Sequence, residues 1–162
     1  MHKNMLAPAN KVYILIAPGF DEEAVVSCLC QMRRVGTAVT LVGTPALWIT
    51  GATGLAVQPD CSLDAWQQAA MGNGRCLIVI AGGQSCTTRL LSDARVYQGL
   101  RATLSQGGSI AILSRAILPV LSDMRLWSAT AVGQFLLPEN GETAVFIRDL
   151  VHFTVVALGG SK

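Results

Sequence analysis

From Lys11 onward the chain alternates short, unbroken apolar runs with longer amphipathic stretches, and glycine or proline stands at most of the changeovers. Val12 to Ala17 is aliphatic or aromatic throughout, the pattern of a strand buried on both faces of a parallel sheet. Pro18-Gly19 closes it. Asp21 is placed to cap the helix that follows, with Glu22 and Glu23 in the first turn, where the helix dipole favours carboxylates. Ala24, Val25, Cys28, Leu29 and Met32 supply its apolar stripe, which stops before Gly36. Ala38 to Val42 predicts a second strand, so the opening segment is a βαβ unit with a right-handed crossover.

Residues 47–58 predict two short strands around a glycine-bearing turn, a hairpin-like excursion. Asp60 to Asp64 leads into a short helix through Ala70, which Gly72-Asn73-Gly74 breaks before the strand Cys76 to Ile80 and the pair Gly82-Gly83. Between Thr87 and Gln106 the spacing of Leu90, Leu91, Val96, Leu100 and Leu104 predicts two helices, the second capped by Ser92 or Asp93 and ended at Gly107-Gly108. A strand from Ser109 to Leu113 follows. Beyond it, Arg115 to Leu121 is expected to be helical despite Pro119, Trp127–Ala131 and Thr143–Ile147 to be strands, and Asp149–Leu158 a last short helix. The strands near 12–17, 38–43, 76–81 and 109–113 are expected to lie parallel in one sheet with helices on both faces, an α/β sandwich.

Composition narrows the class. A chain of 162 residues suits one domain, here 11–162, preceded by an extension over 1–10. Hydrophobic residues make up 51% and charged residues 14%, a thin polar surface for a monomer, so a homodimer is expected. The net charge of +2 is spread along the chain, with Arg33-Arg34 its only basic doublet, and gives no nucleic-acid footprint. No apolar run reaches the roughly 18 residues of a spanning helix, so no membrane partner is expected. Five cysteines, an odd number scattered through predicted helices, strands and loops, fit reduced thiols in a cytoplasmic protein. Cys28 and Cys30 fall about 200° apart on a helix and do not share a metal ion. No metal or cofactor is expected.

Five segments stand in a particular order: Lys11 to Ile16 with Gly19-Phe20-Asp21-Glu22-Glu23; Met32-Arg33-Arg34-Val35-Gly36; Pro59-Asp60-Cys61-Ser62-Leu63-Asp64; Ala81-Gly82-Gly83; and Gln106-Gly107-Gly108-Ser109-Ile110-Ala111-Ile112. Together they resemble the ThiJ/PfpI superfamily over roughly Lys11 to Ala116. The resemblance implies a flavodoxin-like three-layer sandwich with a mainly parallel sheet, the class I glutamine amidotransferase-like fold. Active members carry a cysteine on a strained strand-to-helix elbow, in a setting such as Ala-Ile-Cys-Ala-Gly-Pro, where helix amides lower its pKa. Here the run is Ala111-Ile112-Leu113-Ser114-Arg115-Ala116, with leucine in the cysteine's place. The family's glutamate from the first helix corresponds to Ala24, and Glu23, about 100° away around the helix, is expected to point elsewhere. The family's histidine, some twenty residues past the elbow, is missing too, the only histidines being His2 and His152.

Three functional readings follow. In the first, the domain is a catalytically degenerate member, with Ala24 and Leu113 at the positions of the lost groups, serving as a binding, regulatory or assembly module. In the second it is a hydrolase or amidase of the same family with another nucleophile; Cys86 is the best placed, in a loop after a central strand, though no nearby histidine or aspartate activates it. In the third it is a small-ligand sensor with a site at Gly82, Gly83, Cys86, Ser114 and Arg115, Gly82 and Gly83 offering backbone N–H groups to a small anion and Arg115 adding charge. Ser114 is expected to cap the next helix rather than act as a nucleophile. Cys61 and Cys76 are expected to pack as small hydrophobes, and Trp48, Trp66 and Trp127 to serve core or interface.

Overall fold

The computed structural model describes residues 11–44, 47–72, 75–126, 134–138 and 143–155. The four apolar runs become the middle of a sheet. β1 (Lys11–Ile16) buries everything after Lys11, and β6 (Cys76–Ile80) buries every residue. β2 (Ala38–Gly43) and β7 (Ser109–Ile112) flank them, and the two-residue strands β5 (Cys61–Ser62) and β8 (Phe135–Leu136) form the edges. The order is β5-β2-β1-β6-β7-β8 and every pairing is parallel, as the uniformly apolar strands require. A separate antiparallel hairpin, β3 (Ile49–Thr50) with β4 (Ala56–Val57), fulfils the expected excursion.

The helices follow from the crossover rule. The chain steps from β1 to β2 in one direction, placing α1 (Glu22–Arg34) on one face; it later steps the opposite way, placing α2 (Leu63–Gly72), α3 (Gln84–Leu91) and α4 (Ala94–Ser105) on the other. α6 (Thr143–Phe153) returns to pack on α1, while α2 and α3 pack on α4. Asp21 caps α1, its Oδ1 accepting from the Ala24 amide at 3.3 Å, and Asp93 rather than Ser92 caps α4, accepting from the Arg95 amide at 2.9 Å. Trp66 of α2 is fully buried between α2 and α4, and its ring fits because residue 99 has no side chain: a Cβ there would overlap the six-membered ring.

Three expectations are corrected. Residues Thr143–Ile147 are the first half of α6, not a strand; Val145, Phe146 and Ile147 favour a strand locally, but Ile147, Leu150 and Val151 bury one helical face at spacings of three and four. α3 starts at Gln84, directly after Gly83, three residues before the expected Thr87. The edge strands β5 and β8 were not expected, since two residues carry no readable period. Arg115–Ile117 forms a 3-10 turn that runs into α5 (Leu118–Asp123), and Pro119 is accommodated in the helix's first turn, where its missing N–H is no loss. The expected strand Trp127–Ala131, residues 156–158 of the last helix and the extension 1–10 lie outside the described residues. Among the described residues no helix is long and apolar enough to cross a membrane.

Candidate functional site

β1 has β2 on one side and β6 on the other, each reached by a crossover of opposite direction, so the crevice at the carboxyl ends of β1 and β6 is a topological switch point, where open α/β sheets bind ligands. Two turns interlock there. The Asp21 amide donates to the Gly82 carbonyl at 3.0 Å, and Gly83 adopts φ 101°, a region closed to other residues. A Cβ on Gly83 would also overlap the Gly19 carbonyl oxygen and come within 3.3 Å of the Asp21 amide nitrogen. A Cβ on Gly82 would stand 3.8 Å from the Cβ atoms of both Asp21 and Ser114. Gly82, Gly83 and Ser114 are therefore brought together, and Asp21 joins them. Sequence reasoning saw Asp21 only as a helix cap.

Leu113 directly follows β7; its amide donates to the Ile80 carbonyl at 3.2 Å, and it is 5% exposed. Ser114 Oγ accepts from the Ala116 amide at 3.3 Å and so caps the 3-10 turn, the structural role expected of it. Ala24 is buried in the first turn of α1, and Glu23 is exposed one position earlier. β8 pairs Phe135 with Ile110 and Leu136 with Ala111, so continuing the register sets Leu137 beside Ile112 at the elbow's flank.

Arg115 leaves the group to which it was assigned. Its Nη1 donates to the Pro138 carbonyl at 3.3 Å, on the β8 side of the turn, and it lines a cavity of about 500 Å³ there with Phe135, Leu136, Leu137, Phe146 and Asp149. The cavity at Gly83 is a different one, about 400 Å³, lined by Gln84, Thr88, Ser114, Ala116 and Val120 among others.

Cys86 leaves it as well. It is 0% exposed, its Sγ accepts from the Ala17 amide at 3.3 Å, and burial pushes its thiol up to about 11 although that amide favours the thiolate. Burial likewise pushes Cys28 up to about 12 and raises Cys76. Cys61, half-buried, is raised by burial and by the neighbouring Asp60 carboxylate. Cys30, on the opposite side of α1 from Cys28, is exposed, as the helical geometry predicts. No cluster of metal-ligating side chains occurs among the described residues.

One functional-looking carboxylate was missed by sequence reasoning. Glu22 Oε2 accepts from the Thr53 amide and hydroxyl, each at 2.8 Å, and from the Leu55 amide at 3.0 Å, tying the hairpin to α1. Desolvation alone would raise its carboxyl, but these hydrogen bonds outweigh it and hold the group below its ordinary value. The groove between them, about 640 Å³, is lined by Asp21, Glu22, Glu23, Val26, Thr53 and Leu55. No local sequence signal pairs Glu22 with residues some thirty positions away.

The profile of the DJ-1/PfpI family matches residues 10–135. None of the curated proteins matches the sequence. Solved structures do: a cysteine-to-alanine variant of a DJ-1 superfamily protein from Salmonella typhimurium superposes with a TM-score of 0.73 at 20% identity, over 93% of this chain and 91% of that one. Oxidized DJ-1 from Toxoplasma gondii gives 0.74 at 18% identity, over 88% and 89%. DJ-1beta from Drosophila melanogaster gives 0.70 at 19%, over 94% and 99%. At these identities the likeness is one of fold.

Proposed function

The chain belongs to the DJ-1/PfpI family, and from that premise we infer that it is a non-catalytic member, a binding or assembly module built on the family's fold. The observation that carries this reading is Leu113, a buried aliphatic residue directly after β7, where the family resemblance implies a cysteine. Ala24 supports it, a buried alanine where the resemblance implies the family's glutamate. The rival reading, a hydrolase using Cys86, requires a thiol that substrate reaches, and Cys86 has no exposed surface. The small-anion reading of Gly82 and Gly83 has the Asp21 carboxylate against it, since Asp21 Oδ2 would lie 3.9 Å from a Cβ on Gly82.

Alkylation of the native protein, mapped by mass spectrometry, tests the inference. Cys30 is expected to react first, and Cys86 at least about a hundredfold more slowly, because its raised pKa leaves little thiolate and burial blocks the reagent. Labelling of Cys86 as fast as Cys30 would favour the enzyme reading.

As an assembly module the chain is proposed to form a homodimer. Leu47 and Trp48 at the entry to the hairpin are 67% and 57% exposed, and Leu55 in the hairpin and Val26 on α1 are 45% and 38% exposed. Burying such side chains in an interface of about 1,000 Å² or more is favourable and accounts for the low charge content. Sedimentation at micromolar concentration is expected to show a dimer, and Trp48→Glu to shift it to monomer. A wild-type monomer would contradict the proposal.

A further inference from the structure

Among the described residues that line it, the 500 Å³ cavity beside β8 combines apolar walls with one charge of each sign. Phe135, Leu136, Leu137 and Phe146 line it, Arg115 and Asp149 are its ionic groups, and its volume falls within the roughly 300–1,000 Å³ of small-molecule clefts. A guanidinium has five N–H donors in a planar fork, and among the described residues Arg115 gives one of them to the Pro138 carbonyl. The carboxylate of Asp149 is 71% exposed and among the described residues pairs with Arg148 alone, at 4.0 Å, so it too retains acceptor capacity. A simple carboxylate entering the cavity would pair with Arg115 but leave Asp149 as a like charge; a simple amine would meet the converse. A zwitterion matches both groups, and the apolar walls accept a hydrocarbon side chain.

The geometry points to this cavity as a binding site for a small zwitterion with an apolar side chain, an α-amino acid of the leucine or phenylalanine kind. Its carboxylate pairs with the Arg115 guanidinium in charge-assisted hydrogen bonds, its ammonium pairs with Asp149, and its side chain lies on Phe135, Leu136 and Phe146. No covalent step is involved. The site lies on the far side of the 3-10 turn from Gly83 and does not rest on the non-catalytic reading, which stands or falls on thiol chemistry.

Calorimetric titration of the full chain with L-leucine and L-phenylalanine tests it, with 3-phenylpropionate and 2-phenylethylamine as the arms lacking one charge. Saturable binding of one or both amino acids is expected, with both one-charge analogues at least about tenfold weaker. Arg115→Gln is expected to weaken amino-acid binding at least about tenfold, and Asp149→Asn to abolish the preference over 3-phenylpropionate. Both positions are exposed, and circular dichroism verifies that the variants fold. Absence of saturable amino-acid binding up to about 10 mM would overturn the proposal. So would equal binding of 3-phenylpropionate by the wild type, or titrations that neither substitution changes.

Discussion

Trp66→Ala is expected to lower the unfolding free energy by about 3 kcal/mol, the low end of the range for deleting a buried large aromatic. The low end applies because the indole Nε1 is buried and finds no hydrogen-bond partner among the described residues, so its removal relieves a desolvated donor while it opens a cavity. The same contact makes Gly99 informative. In the wild type Gly99→Ala inserts a methyl into the Trp66 ring and is expected to cost about 1–3 kcal/mol, with the ring or α4 displaced. In the Trp66→Ala background the obstacle is gone, and the same substitution in mid-helix is expected to stabilise by up to about 1 kcal/mol through helix propensity. Urea unfolding of the four proteins in this double-mutant cycle checks both values. The sign reversal is the decisive outcome; a Gly99→Ala effect of the same sign in both backgrounds would show that Trp66 and Gly99 do not share this space.

Much of the frame was legible in the sequence because it rests on long-range burial written as uninterrupted apolar runs. Val12–Ala17 and Cys76–Ile80 admit no one-sided sheet, and Asp21 and Asp93 mark helix starts by a chemistry that acts within three residues. The legible part ends where tertiary packing outweighs local preference. Thr143–Ile147 has the β-formers of a strand, yet packing of Ile147, Leu150 and Val151 on α1 makes it helical. β8 is two residues long and is defined only by its pairing with β7.

The candidate site divides the same way. That Gly82, Gly83 and Ser114 converge follows from their places at the ends of parallel strands, which the strand order brings side by side. Arg115 stands apart from Gly83 because the residue after Ser114 already belongs to a tight 3-10 turn, and its side chain lies on the Pro138 side of that turn. Cys86 was placed in a loop, whereas it lies in the first turn of α3, facing the Ala17 amide. The Asp21 contact with the Gly82 turn and the Glu22 ties to the hairpin depend on side chains and backbone far apart in sequence, for which no spacing rule exists.

The second large effect concerns chemistry at the elbow. Installing Leu113→Cys alone is expected to give a sluggish thiol, at or above the reference pKa of about 8.5, because the position is buried. Adding Ala24→Glu is expected to change its alkylation profile against pH, since the resemblance sets position 24 against the elbow. Superimposable profiles for the single and double variants would place Ala24 away from it.

The most direct measurement is turnover by the unmodified protein. Assayed for glyoxalase, amidase and peptidase activity at high protein concentration, before and after exhaustive thiol alkylation, the wild type is predicted to give the rate of the protein-free blank in every case. A rate above that blank, abolished by alkylation, would contradict the account and return the domain to the enzymes of its family.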